Sequence, residues 1–287
     1  MKSVDSSPKK YAAWWIHAVA YFFSLLFLTP FIWLVLASLT PSSNLLDRPL
    51  RWWPSRFDFS RWVDIATGAL NSPAGGFRIA MANSLIIAAG TALVCTVVSV
   101  YGAYALSRLR FQFKRPLLLV FLTSYMMPPI AIIIPLYLIL ARLHLLDSKI
   151  GLIIVYSSFI TPFVMWTLTS FLNSIPMELD EAATIDGASK MMTLRSILLP
   201  LMRPGLFSAV LFAVLLCWDE FLYALIFTST SASKTIPIAV AEFSGKYSTD
   251  FGLVAAGGVL AAIPPVVVAL IFQRQVTAGL AAGAVKG

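Results

Sequence analysis

Residues 177–204 read MELDEAATIDGASKMMTLRSILLPLMRP, and this stretch decides how the rest of the chain is arranged. Asp180, Glu181, Asp186, Lys190, Arg195 and Arg203 crowd into it, whereas the flanks at 150–172 and 205–218 carry no charge. A polar island of this kind between long apolar runs is a loop outside the bilayer with a surface task. Its interior has helix signals. Ser174 is placed as an N-cap, Pro176 suits a first turn, and Glu178, Asp180 and Glu181 favour the positive end of a helix dipole. Ala182 and Ala183 are strong helix formers. Asp186-Gly187 marks a turn in which Gly187 can take positive φ. Ser189 can then cap a second short helix, ended by Pro200 and Pro204.

Working outward, the 287 residues are 59% hydrophobic and 12% charged, against about 25% charged in soluble domains. The chain is therefore expected to be an all-α polytopic membrane protein. A membrane helix needs about 20 apolar residues, and six such segments occur, at about 14–38, 79–106, 116–140, 150–172, 204–227 and 251–272. They form one transmembrane domain over 1–287, with the charged loop at 174–203 between the fourth and fifth. Arg108, Arg110, Lys114 and Arg115 follow the second span with no acid among them. By the positive-inside rule this loop is cytoplasmic, which puts the charged island and both termini inside as well. The net charge of +8 has the same origin; no basic patch interleaved with aromatics points to nucleic acid.

The third span holds Pro128, Pro129 and Pro135 and is expected to be broken or bent beside a cavity. The second is rich in small residues that let helices approach closely, and Asn83 and Ser84 read as packing hydrogen bonds. Trp52 and Trp53 read as interfacial anchors. In the fifth span Trp218, Asp219 and Glu220 sit in the outer half, where an acid must face protein or water. Successive residues on one helix point about 100° apart, so the two carboxylates do not form an acid pair. With Tyr125, Pro128 and Pro129, these residues mark a possible translocation path.

Catalytic chemistry is missing from the sequence. Cys95 and Cys217 lie in apolar segments, His17 and His144 are isolated, and no metal-ligand cluster is spaced for a site. Ser244-Gly245-Lys246 has the end of a P-loop without its upstream glycine. If transport is driven, the energy comes from another chain, received on the charged island. Two alternatives make different demands. A secondary transporter calls for an intramembrane ion site and inverted repeats; a polytopic membrane enzyme would have to use Asp219 and Glu220 as acids.

EAATIDGAS followed by ILLPLMRPG resembles the EAA loop of permease subunits in binding-protein-dependent ABC importers, matching at Glu181, Ala182, Ala183, Gly187, Ile197, Leu199 and Pro200. Ala103-Tyr104-Ala105 through Arg108 and Phe111, Pro135-Leu136-Tyr137, Trp218 with Glu220-Phe221-Leu222, and the ending GLAAGAVKG resemble the carbohydrate-type members, similar to the maltose-system permeases. Departures are Asp219, where that group often has Asn, and Thr40, where a Lys commonly follows the first span. The resemblance implies an inner-membrane permease half that imports a sugar. It would pair with a second related permease, two ATP-binding subunits and an extracytoplasmic solute-binding protein, within membrane lipid. The EAA loop, Asp186 included, would dock into a cleft on the ATPase, with Ala182 and Ala183 permitting close approach and Glu181 offering a charge-assisted hydrogen bond. The chain itself would carry no cofactor, because the partner ATPases bind ATP-Mg.

Overall fold

In a computed structural model, residues 10–46, 52–68, 73–245 and 249–284 are described. Fourteen α-helices follow one another in these residues. They are α1 Lys10–Ser38, the one-turn α2 Ser42–Leu45, α3 Ser60–Thr67, α4 Phe77–Arg108, α5 Lys114–Tyr125, α6 Pro129–Arg142 and α7 Lys149–Ser174. After the charged loop come α8 Glu178–Ile185, α9 Lys190–Thr193, α10 Leu199–Leu201, α11 Arg203–Trp218, α12 Leu222–Phe227, α13 Ile236–Ala241 and α14 Phe251–Ala284. No strand ladder occurs among the described residues; Ser244 and Thr249 form an isolated bridge.

Among the described residues, four helices are long and apolar enough to cross a membrane: Trp14–Ser38, Ala74–Arg108, Lys149–Ser174 and Phe251–Gln273. A fifth follows if Lys190–Leu201 and Arg203–Trp218, bent by 79°, count as one span. The 116–140 segment is in two pieces. α5 stops at Tyr125, and Pro128, with no N–H to continue a ladder, sits as the N-cap of α6. The expected break is therefore present, at 126–128. The 204–227 segment departs further from expectation, because α11 ends at Trp218 and α12 begins only at Leu222.

α4 and α7 form the centre. Small residues on α4 let the two helices nearly touch, for a Cβ added at Gly90 would lie 2.7 Å from Ile153 and one at Gly102 2.4 Å from Met165. Side chains on α4 also use carbonyls of α7, with Ser99 Oγ donating to Thr161 O at 3.3 Å. Cys95 and Cys217 are buried free thiols. α11 closes the packing on α7, where Gly205 lies against the Phe171 ring. α1 leans on α14 and is otherwise exposed from Trp14 to Ile32.

Two polar staples fix the loops at the far ends of these helices. Arg61 on α3 is 5% exposed. Its guanidinium pairs with Asp250 at 3.1 Å and donates to Thr40 O at 2.7 Å and Ser42 Oγ at 2.6 Å. It lies so close over Gly252 that a Cβ there would come within 2.2 Å. Asp147 adopts a left-handed φ of 52°. Its carboxylate accepts the N–H groups of Ser229 and Thr230 at 2.9 and 3.0 Å and the hydroxyls of Thr230 and Ser233. Asn83 and Ser84 make hydrogen bonds to the same stretch rather than to a neighbouring span: Asn83 Nδ2 donates to Ser231 O and Lys234 O, and Ser84 Oγ accepts from Ile236 N.

Candidate functional site

The charged island folds as helix, tight turn, helix, though its start differs from expectation. Ser174 does not cap α8. α7 runs two residues further than the sequence suggests, to Ser174, whose hydroxyl donates back to Phe171 O at 2.7 Å. Ile175, Pro176 and Met177 then lead into α8, which begins at Glu178 with its three acids in the first turn. Such acids offset the unpaired N–H groups electrostatically without a side-chain cap.

The turn is a Schellman motif. Gly187 N donates to Thr184 O at 3.1 Å and Ala188 N to Ala183 O at 2.9 Å, with Gly187 at φ +80°. Conformation alone calls for glycine here, since an added Cβ would meet nothing within 4 Å. Ser189 caps the second helix as expected, accepting from Met192 N at 3.3 Å. Pro200 does not end that helix. Because it lacks an N–H, the carbonyl of Ser196 has no partner four residues on, and the preceding Leu194–Leu198 turn widens into a π-helix in which Leu199 N reaches Leu194 O. The chain turns at Met202 instead, ahead of α11.

This geometry sorts the predicted loop residues. Glu181, Ala182, Asp186 and Gly187 are exposed on one side of α8 and its turn, beside Ile185, which is 86% exposed. Ala183 faces the other way, 4% exposed, packed within the loop itself. Ile197 and Leu199 are half-buried and Pro200 is exposed. The buried anchors are Leu194, Leu198 and Met202. They recur every four residues on the inward face, a periodicity legible in the sequence. Also unforeseen is Arg108, which braces the island from the end of α4. Its Nε lies 3.0 Å from Asp180 Oδ2, and it donates to Ile175 O at 2.9 Å. Beside this brace opens a cavity of about 550 Å³ lined in part by Tyr104, Arg110, Lys190 and Thr193.

A second cavity, of about 450 Å³, brings together Trp218, Asp219, Glu220 and Pro265 with Phe212 and Leu216. Glu220 does not project from a continuous helix. Its carboxylate accepts Tyr223 N at 2.8 Å and Ala224 N at 3.2 Å, so it caps α12 across the break. Asp219 is exposed. Trp218 Nε1 donates to Ala261 O at 3.1 Å; that carbonyl is free because Pro265, four residues on, has no N–H. Pro128 and Pro129 start α6 and are not among the residues lining this cavity. The side chain of Tyr125 lies outside the described residues. No group of three or more potential metal ligands occurs among the described residues.

Comparison with known proteins gives this architecture a family. The family described as "Binding-protein-dependent transport system inner membrane component" matches residues 96–281. The trehalose transport system permease protein SugB of Mycobacterium tuberculosis is 37% identical over 91% of this chain and 93% of its own. The trehalose/maltose transport system permease protein MalG of Thermococcus litoralis is 33% identical over 92% and 93%. A chain from the crystal structure of a bacterial ABC transporter involved in the import of the acidic polysaccharide alginate shares the fold, with a TM-score of 0.75 at 21% identity over 93% of this chain and 98% of that one. The chain therefore belongs to the inner membrane components of binding-protein-dependent transport systems: it is a multi-pass permease subunit of an ABC importer and not itself an ATPase.

Proposed function

We propose that this permease imports a sugar and takes its drive through the 174–203 loop. The observation that carries the reading is the exposed side of α8, where Glu181, Ala182, Ile185 and Asp186 face outward beside the Gly187 turn, uncovered by any of the described residues. An 86% exposed isoleucine on a charged loop is suited to insertion into a cleft on another protein. The cleft belongs to a separate cytoplasmic ATPase that binds ATP-Mg. The loop is cytoplasmic, both termini are on the same side, and the chain crosses the inner membrane six times. The third crossing is formed by α5 and α6 across their break, and the fifth by α11 with α12. The complete importer adds a second related permease, a pair of ATP-binding subunits and an extracytoplasmic solute-binding protein.

Relatives whose names specify trehalose, trehalose/maltose or diacetylchitobiose support a sugar as the solute. The path runs past the cavity at Trp218 and Asp219; Glu220 shapes it by holding α12. The solute class is tested by thermal-shift screening of mono- and oligosaccharides against the partner binding protein, and stabilisation by none of them would overturn it. The coupling surface is tested by Glu181→Lys and Gly187→Pro. Both are expected to abolish uptake and binding-protein-stimulated ATP hydrolysis while membrane insertion persists. Gly187→Ala strains a single left-handed residue by about 1–2 kcal/mol and should lose only part of the activity. Normal uptake in the lysine and proline variants would refute the assignment.

A further inference from the structure

We infer that α4 is a strut that carries movement of the coupling loop to the outer loop at 228–236, with Arg108 as the positioning residue at its inner end. The inference rests on the coupling reading above. At the inner end, Arg108 is the last residue of α4, and its side chain is 5% exposed. It holds the island at three places: Asp180 of α8 at 3.0 Å, Ile175 O at 2.9 Å and Met177 Sδ at 2.9 Å. A desolvated guanidinium with one acid and two further acceptors cannot leave them cheaply, so α8 and the end of α4 move together. Contacts reaching both the helix and its lead-in also resist rotation between them.

At the outer end, Asn83 is 1% exposed and donates both amide hydrogens across the loop, to Ser231 O and Lys234 O at 3.0 Å each. Ser84 accepts from Ile236 N at 2.8 Å, which fixes the first residue of α13. Between these ends runs unbroken helix, roughly 38 Å long at about 1.5 Å per residue. The other helices that cross a membrane unaided each carry internal proline: Pro30 in α1, Pro162 in α7, Pro264 and Pro265 in α14. α4 has none. α7 is joined covalently to the island but is interrupted in its hydrogen-bond ladder at Pro162, whereas α4 is complete and held by side chains at both ends. Coupling between distant sites needs an element that both sites bias, and α4 is bonded to both loops.

The test uses the whole importer in nanodiscs, with Mg-ATP as the probe and a hydrolysis-deficient ATPase to hold the closed state. The readout is hydrogen exchange at the amides of 229–236. In the wild type, ATP is expected to change protection there. Arg108→Gln and Asp180→Asn should shrink that change about tenfold, with the ATPase still co-purifying and its apparent affinity for ATP unchanged. Exchange of charges, Arg108→Asp with Asp180→Arg, re-forms the ion pair without the bonds to Ile175 O and Met177 Sδ and should restore part of the response, as should Arg108→Lys. Asn83→Ala should lose the outer response while amides of 178–187 still respond. Single variants that respond like the wild type would overturn the inference, as would an unrestored response in the charge exchange, or loss of the ATPase from the single variants. A wild-type chain that never retains an ATPase would instead refute the coupling reading, and this inference with it.

Discussion

Asp147 shows how much one side chain can hold. Burial pushes its carboxyl upward, but the N–H groups of Ser229 and Thr230 and the hydroxyls of Ser233 and Thr230 outweigh that and hold it well below the usual carboxylate range. The stabilisation is complete above about pH 4, the ordinary Asp value, and fades as pH falls from there toward the lower folded value. Asp147→Asn keeps a residue tolerant of left-handed φ and removes only the charge. The loop is expected to lose about 2 kcal/mol, the range of hydrogen bonds to a charged group. Amide exchange at Ser229 and Thr230 should quicken at neutral pH in the variant, and slow exchange in both proteins would refute the role. Gly252 has a different demand on it. It is small because the Arg61 guanidinium occupies the space a side chain would need.

At the scale of elements, proline decides where helices end and which carbonyls become available. Pro265 frees Ala261 O, and Trp218 uses it to hold α11 against α14. Trp218→Phe is expected to cost about 1 kcal/mol, the size of an interhelical hydrogen bond in a membrane. Pro265→Ala supplies an N–H to that carbonyl, so the same substitution should cost little in that background. Thermal unfolding of the purified subunit in detergent measures both, and equal costs in the two backgrounds would refute the bond. Much of this was legible beforehand. The apolar runs gave α1, α4 and α7 to within a few residues and the start of α14, which continues as helix to Ala284 beyond the apolar run that ends near 272; Asp186-Gly187 and Ser189 gave the turn and its cap. The break after Trp218 was not legible, because Asp219 and Glu220 read as polar positions on a continuing helix until Glu220 is seen capping α12. Nor was the Arg108–Asp180 pair, which joins residues far apart in sequence whose charges each had a local explanation.

For the whole molecule, the faces left open are as informative as the core. α1 is exposed from Trp14 to Ile32, and a groove between it and α14 is lined by Phe31, Leu34, Ile263 and Val266. Lipid tails or a neighbouring permease satisfy such surface equally well, since neither leaves an unpaired polar group. The buried Arg61 adds a constraint in time. Its partners are Thr40 and Ser42 just after the first membrane helix and Asp250 just before the last. During synthesis α3 is complete long before Asp250 exists, so the guanidinium must wait in water or be shielded by another protein. Closure of this staple thus reports that the last helix has arrived. A chain truncated before residue 249 should insert its early helices yet turn over faster than the full chain in a pulse-chase. Arg61→Gln should narrow that difference in lifetime, because no stranded charge then marks the unfinished subunit.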